Sequence, residues 1–228
     1  MSAGKAGNGE SVPDITVVIC SYNRADCLRE ALRTVTVQET GGRFTHEVLV
    51  VDDHSSDHTA EVVEEAAARA AVPVRRVCTE GQHGIAHARN LGVASARGRF
   101  IVFFDDDQLA PAPWLSQLLA LAREKDAWMV GGPRDLAVEP ACIATLGPVR
   151  RGMLGEYRFE YQEPRVLEGK ALPTTGNLML RAALFERIGD FSVMEASGED
   201  SDLIRRARRA GYAVWVAPSA AVSHMVPP

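Results

Sequence analysis

Three carboxylates in a row, Asp105-Asp106-Asp107, close an apolar run, Phe100-Ile101-Val102-Phe103-Phe104. The run is β-branched and aromatic, and has the length of a buried strand. Like charges at that density repel one another unless a cation sits among them. Hard divalent ions, Mg²⁺ or Mn²⁺, suit such a place, because they bind through one or two carboxylates plus substrate phosphates. The plainer alternative is a solvated loop in which Asp107 caps a helix around Trp114. A cap, however, needs one aspartate rather than three.

The elements that must position these residues alternate along the first half of the chain. Strands are expected over 15–20, 47–52, 74–78 and 100–104. Helices are expected over 25–37, 57–70 with Asp57 as cap, and 84–97 with Gly98 as the closing signal. Repeated β-α units with fully apolar strands point to an α/β fold around a mostly parallel, doubly wound sheet. Ligands bind such sheets at the carboxyl ends of the strands. Polar residues fall at those ends: Ser21-Tyr22-Asn23-Arg24 after the first strand, Asp52-Asp53 after the second, and the triple aspartate after the fourth.

The second half is less regular. A helix over 111–124 and a short strand over 127–131 precede a stretch, 139–170, that mixes Gly, Pro, Arg and aromatics without a period. Long irregular stretches of this kind are usually functional loops or lids. A strand over 174–181 and a helix over 182–188 follow. Ser197-Gly198-Glu199-Asp200 then opens a helix that Gly211 stops, its acidic start and basic end matching the helix dipole. A strand over 213–217 comes last.

Composition bounds the partners. Of 228 residues, 46% are hydrophobic and 24% charged, as in ordinary globular proteins, and the net charge of −5 argues against a nucleic-acid partner. It also gives no bulk attraction to anionic lipid. Cys20, Cys27, Cys78 and Cys142 are scattered, which fits reduced cytosolic thiols rather than a zinc site. No apolar stretch approaches the ~20 residues of a membrane span. Residues 1–12 are Gly-, Ser- and Asn-rich, without a signal-peptide pattern, and are expected to form a disordered tail.

Read together, the motifs resemble those of the family-2 glycosyltransferases, which use the nucleotide-sugar-binding fold called GT-A. The matching stretches are Thr16-Val-Val-Ile-Cys-Ser-Tyr-Asn-Arg24, Val50-Val-Asp-Asp-His-Ser-Ser-Asp57, Ala88-Arg-Asn-Leu-Gly92 and Phe103-Phe-Asp-Asp-Asp107. They continue with Thr175-Gly-Asn-Leu-Met-Leu-Arg181, Gly198-Glu-Asp-Ser-Asp-Leu203 and Ala220-Ala-Val-Ser-His224. All seven occur in family order between residues 14 and 225. The resemblance implies a Rossmann-like sheet flanked by helices, with residues 13–107 as the nucleotide-sugar-binding half and 108–228 as a smaller acceptor-binding half of the same domain.

It also implies roles. Ser21, Tyr22 and Arg24 would flank the nucleotide, with Tyr22 near the base and Arg24 toward the diphosphate. Asp53 would accept a hydrogen bond from the base, Asp52 would brace the loop, and Arg89 would stand at the donor pocket. Asp107 would ligate Mn²⁺ or Mg²⁺, with the late His224 approaching the same metal. Asp106 would reach the ribose, and Asp105 would take a bracing place in the Asp-x-Asp pattern. Asp200 looks like the general base, although an N-cap with acidic neighbours fits it equally on physical grounds. His54, His58, His83 and His87 read as solvated imidazoles.

The chemistry implied is metal-assisted, inverting transfer of a sugar from a nucleotide-diphosphate donor, UDP-sugar favoured. The acceptor is a hydroxyl on a saccharide, a lipid-linked sugar or a small natural product. A cytoplasmic location is expected, with peripheral membrane association open and no integral membrane segment. A sugar nucleotidyltransferase would need a Gly-rich loop after the first strand, and Ser21-Tyr22-Asn23-Arg24 contains no glycine. An aspartate-nucleophile phosphatase would want Thr or Val where Leu109 stands. A non-catalytic nucleotide-sugar-binding module is the remaining alternative.

Overall fold

The computed structural model describes residues 12–226 apart from 140–142, 144, 160, 170–171 and 195–197. Three apolar runs, β1 (Ile15–Ser21), β2 (His46–Asp52) and β4 (Phe100–Phe104), are buried almost throughout and lie side by side in parallel. A less buried β3 (Val74–Cys78) extends the sheet beyond β2. On the other side β9 (Asn177–Arg181) runs antiparallel to both β4 and β6 (Met129–Gly131). β10 (Val214–Val216) and β8 (Arg165–Val166) complete an eight-stranded, mostly parallel sheet in the order β3-β2-β1-β4-β9-β6-β10-β8.

Alternation along the strands builds two cores, because successive side chains point to opposite faces. Ile15, Val17, Ile19, Val48, Val50, Val102 and Phe104 pack under α1 (Ala25–Val35), α2 (Thr59–Arg69) and α4 (Trp114–Glu124). Val18, Leu49, Val51, Ile101 and Phe103 face α3 (Ile85–Ser95), α6 (Ala183–Ile188) and α7 (Glu199–Arg209). In α1 the buried positions are Ala25, Leu28, Ala31, Leu32 and Val35, one stripe at helical spacing.

Asp57 lies one residue before the cap position of α2, which is His58 rather than the expected Asp57. Its Oδ1 accepts the Thr59 N–H of α2 at 3.1 Å, while its Oδ2 accepts the Ala25 N–H of α1 at 3.0 Å. One carboxylate thus ties down two helix starts on the edge where β1 and β2 end.

Gly98 does not close α3 as expected. The helix ends at Ser95, and Ala96 leaves it with extended backbone (φ −67°, ψ 139°). Gly98 is instead needed for a close approach: a Cβ there would run into the backbone of Ile15 and Thr16. Its N–H donates to Thr16 Oγ1 at 2.8 Å.

The irregular 139–170 stretch holds a short helix, α5 (Pro148–Met153), and the strand β8. A second, three-stranded sheet has no counterpart in the sequence reading: β5 (Gln108–Leu109), β11 (Val222–His224) and β7 (Arg134–Leu136), in that order. Residues 1–11 of the expected tail and Cys142 lie outside the described residues. Cys20, Cys27 and Cys78 are free thiols.

Candidate active site

Parallel pairing in register sets Ser21 opposite Asp52, so the loops after β1 and β2 leave the sheet together. The Asp53 N–H donates to the Ser21 carbonyl at 2.9 Å. Asn23 sits at φ 51°, a conformation that asparagine tolerates. There its N–H meets Ser55 Oγ (2.9 Å) and its Oδ1 accepts the Ser56 N–H (2.7 Å). Asp52 braces this loop as expected, accepting from the Ser55 N–H and pairing with Arg76, both at 2.9 Å.

The same edge receives the triple aspartate. Asp106 is buried; its Oδ2 accepts from Ser21 Oγ at 2.6 Å and its Oδ1 meets Arg24 at 3.2 Å. Burial pushes its carboxyl up to about 6, against the pull of Ser21 and Arg24. Asp107 behaves oppositely. Burial alone would raise it, but His224 and Arg24 outweigh that and hold it below the ordinary carboxylate value. Its Oδ2 lies 2.9 Å from Arg24 Nη2 and 3.2 Å from His224 Nε2.

The small sheet makes the second contact possible. β11 pairs antiparallel with β5, placing His224 opposite Gln108, and the Met225 N–H donates to the Asp107 carbonyl at 2.7 Å. Asp107 does not cap the helix at Trp114, whose cap position is Pro113.

Asp105 turns to the other side. Its Oδ2 accepts from Gln108 Nε2 at 3.1 Å and lies 3.5 Å from Arg134 Nη1. Crowding by protein raises its carboxyl, partly offset by Arg89 and Arg134. Gly176 allows this arrangement, since a Cβ there would overlap the Asp105 carboxyl and the Gln108 amide. Asn177 then locks the floor: its Oδ1 accepts from Trp114 Nε1 (2.8 Å), and its Nδ2 donates to the carbonyls of Pro133 (2.9 Å) and Ala220 (2.8 Å). Arg134 carried no sequence signal. Gly176 and Asn177 lay within a recognised motif, but nothing in their residue types announced these contacts.

Ser21, Arg24, Asp105, Asp106, Asp107 and His224 therefore come together. Tyr22 follows Ser21 directly and is 57% exposed. Asp53 sits on the adjoining loop, where its oxygens accept from Thr79 Oγ1 (2.6 Å) and the Gly84 N–H (2.9 Å). Burial would raise its carboxyl, and these bonds together with His83 bring it below the ordinary value. His83 is a solvated imidazole, as expected, that also approaches Asp53. Its Nδ1 is 3.4 Å from Asp53, and its ring lies edge-on to that of His54, with centroids 4.9 Å apart.

Arg89 acts on Asp105 through its charge and also meets α7, the helix that carries Asp200. Arg89 is buried and paired with Glu199, the residue before Asp200. Asp200 is half-buried near the start of α7, its Oδ1 accepting the Ser201 N–H at 2.6 Å.

No three His, Cys, Asp or Glu side chains form a ready coordination sphere among the described residues. Two buried atoms are nevertheless unspent: Asp107 Oδ1 and His224 Nδ1 have no hydrogen-bond partner. With Nε2 directed at Asp107, the His224 Nδ1 lies on the far side of the ring, against Gly155. The Asp107 carboxylate, with its free Oδ1 and the His224 Nε2 beside its Oδ2, fits Mn²⁺ or Mg²⁺ completed by diphosphate oxygens and water.

The order of the sheet and its flanking helices define an α/β fold of the GT-A type. The chain belongs to glycosyl transferase family 2, whose model matches residues 16–189. It is 28% identical over 218 residues to the succinoglycan biosynthesis protein ExoM of Rhizobium meliloti, covering 93% of this chain and 67% of that protein. Two solved structures share the fold. TarS from S. aureus, in complex with UDP-GlcNAc, has a TM-score of 0.72 at 20% identity, over 94% of this chain and 59% of that one. The mannosyltransferase PcManGT from Pyrobaculum calidifontis, in complex with GDP-Man and Mn²⁺, has a TM-score of 0.71 at 23% identity, over 94% and 57%. The chain spans 31% to 67% of the length of the curated relatives most similar to it. No helix among the described residues is long and apolar enough to cross a membrane.

Proposed function

We infer that this chain transfers a sugar from a nucleoside-diphosphate donor, UDP-sugar favoured, to an acceptor hydroxyl with inversion at the anomeric carbon. The observation that carries this reading is the convergence of Asp107, whose buried Oδ1 is unspent, and His224 Nε2 beside Arg24 and Asp106 at the carboxyl edge of a parallel sheet. Family membership and the two ligand-bound structural neighbours support it.

In this reading residues 13–107 bind the donor and 108–228 the acceptor. Tyr22 and Asp53 take the base, Asp106 the ribose, and Ser21 orders the Asp106 carboxylate. Arg24 meets the diphosphate. Asp107 and His224 hold the divalent ion, which when bound supplies Lewis-acid stabilisation to the departing diphosphate. Asp105 braces the cluster through Gln108 and Arg134. Arg89 supports the donor side while fixing the start of α7. Asp200 takes the acceptor hydroxyl proton as the oxygen attacks. General-base assistance of this type contributes ~10²–10⁴-fold. The acceptor is a saccharide, a lipid-linked sugar or a small natural product. Peripheral association with a membrane would suit the second of these.

The test is incubation with Mn²⁺ and a panel of UDP-, GDP- and dTDP-sugars, with and without oligosaccharide and lipid-linked acceptors. Release of nucleoside diphosphate that depends on acceptor supports transfer. Binding of a sugar nucleotide without turnover on any acceptor would favour a non-catalytic module.

A further inference from the structure

Arg24 is placed where the function proposed above puts a divalent ion's neighbourhood, and its geometry there is specific. Its guanidinium does not fork onto one carboxylate. It spans two adjacent ones, Nη1 on Asp106 Oδ1 at 3.2 Å and Nη2 on Asp107 Oδ2 at 2.9 Å. The two carboxylates are buried, whereas the Arg24 side chain is 42% exposed. It belongs to the residue just before α1, and among the described residues its side chain pairs with Asp106 and Asp107. The charged head is held by these two counter-ions and has solvent on one side.

Three consecutive carboxylates need positive charge whether or not a metal is bound. Arg24 supplies it across Asp106 and Asp107. A divalent cation arriving at Asp107 would face that guanidinium at close range, and like charges oppose one another in a partly buried site. A diphosphate arriving alongside offers Arg24 another bidentate anionic partner. The exposed side chain can then leave the aspartates as the cation takes them.

We propose that Arg24 is the resident counter-cation of the aspartate run, exchanging its carboxylate partners for the diphosphate so that metal and nucleotide bind cooperatively. This rests on the metal and donor reading given above. It adds that the protein alone holds the metal weakly because of Arg24, and that each ligand strengthens the other by the same factor, as linkage requires.

Direct titration of Mn²⁺, with free ion followed by electron paramagnetic resonance, tests this without turnover. The titration is run on the protein alone and then with saturating UDP or GDP. In Arg24→Gln, Mn²⁺ without nucleotide should bind ~10-fold tighter than in wild type, and the tightening produced by nucleotide should shrink from the ~5–150-fold typical of coupled sites to a few-fold. Arg24→Lys keeps one charge but cannot span both carboxylates, so it should lie between; it carries the test with the same sign if the glutamine variant does not fold. If wild type takes up Mn²⁺ with nucleotide, yet both variants bind Mn²⁺ alone no more tightly than wild type, the counter-cation role is overturned and the metal reading stands. Absence of Mn²⁺ uptake by wild type even with both nucleotides would overturn the metal reading and this inference with it.

Discussion

The guanidinium of Arg89, on α3, closes on the carboxylate of Glu199 in the first turn of α7, 110 residues later, with both side chains buried. The pair joins α3 to the helix that carries Asp200. Removing one partner would leave the other charged and buried, which costs about 3–5 kcal/mol. Arg89→Ala and Glu199→Ala should each lower stability by that order in urea melts. The double variant should lose less than the sum of the two. Additive losses would mean that the two groups act independently.

Asp107→Ala should abolish the dependence of nucleotide binding on Mn²⁺ while the fold survives. Its Oδ1 is spent on no protein partner, so little internal bonding is lost on that side. Calorimetric titrations with nucleoside diphosphate, in Mn²⁺ and in chelator, provide the check. Equal affinity of the wild type under both conditions would remove the metal from the site.

Asp53→Ala should weaken nucleotide binding by roughly 1.5–3 kcal/mol, the range for a hydrogen bond to a charged group. The 79–84 loop should loosen as well, since Thr79 and the Gly84 N–H both bond to this carboxylate. Hydrogen exchange at Gly84 separates the two effects. Unchanged affinity with faster exchange would make Asp53 purely a brace.

Asp200→Asn keeps the shape and an oxygen able to accept the Ser201 N–H, but removes the basic charge. Donor affinity should hold and transfer should fall ~10²-fold or more. A residue serving only the helix start would give the reverse, with a modest stability change and turnover near wild type.

His46 predicts a pH dependence away from the site. Its Nε2 bonds to the Val35 carbonyl at 3.0 Å, its Nδ1 is buried without a partner, and burial holds the ring below its ordinary value of 6.5. The unfolded chain therefore binds the extra proton first. The stabilisation is present above 6.5 and is lost as the pH falls through the lower folded value. Thermal melts from about pH 7.5 to about pH 5.5 should drop in wild type. His46→Asn should start lower and fall less over the same interval. An equal fall in both proteins would assign the acid sensitivity to other groups.

The long apolar runs and their turn residues were legible in the chain itself. β1, β2 and β4 are continuous hydrophobic segments that can only be buried, and parallel pairing then sends Ser21, Asp52 and the 105–107 aspartates to one edge. Local chemistry also announced the acidic start and basic end of α7. What was not legible came from elements too short to show a period. β5, β7 and β11 hold two or three residues each, yet they bring Arg134 to Asp105 and give His224, which the family resemblance had set near the metal, its place against Asp107. Gly98 looked like a helix stop, because sequence cannot distinguish a left-handed cap from a point where two backbones touch. The pairing of Arg89 with Glu199, and the opposite shifts of neighbouring Asp106 and Asp107, were likewise decided only by the tertiary structure. Identical side chains one residue apart differ there because burial dominates at Asp106, while His224 and Arg24 prevail at Asp107; which charge lies within a few ångströms is a property of the folded chain.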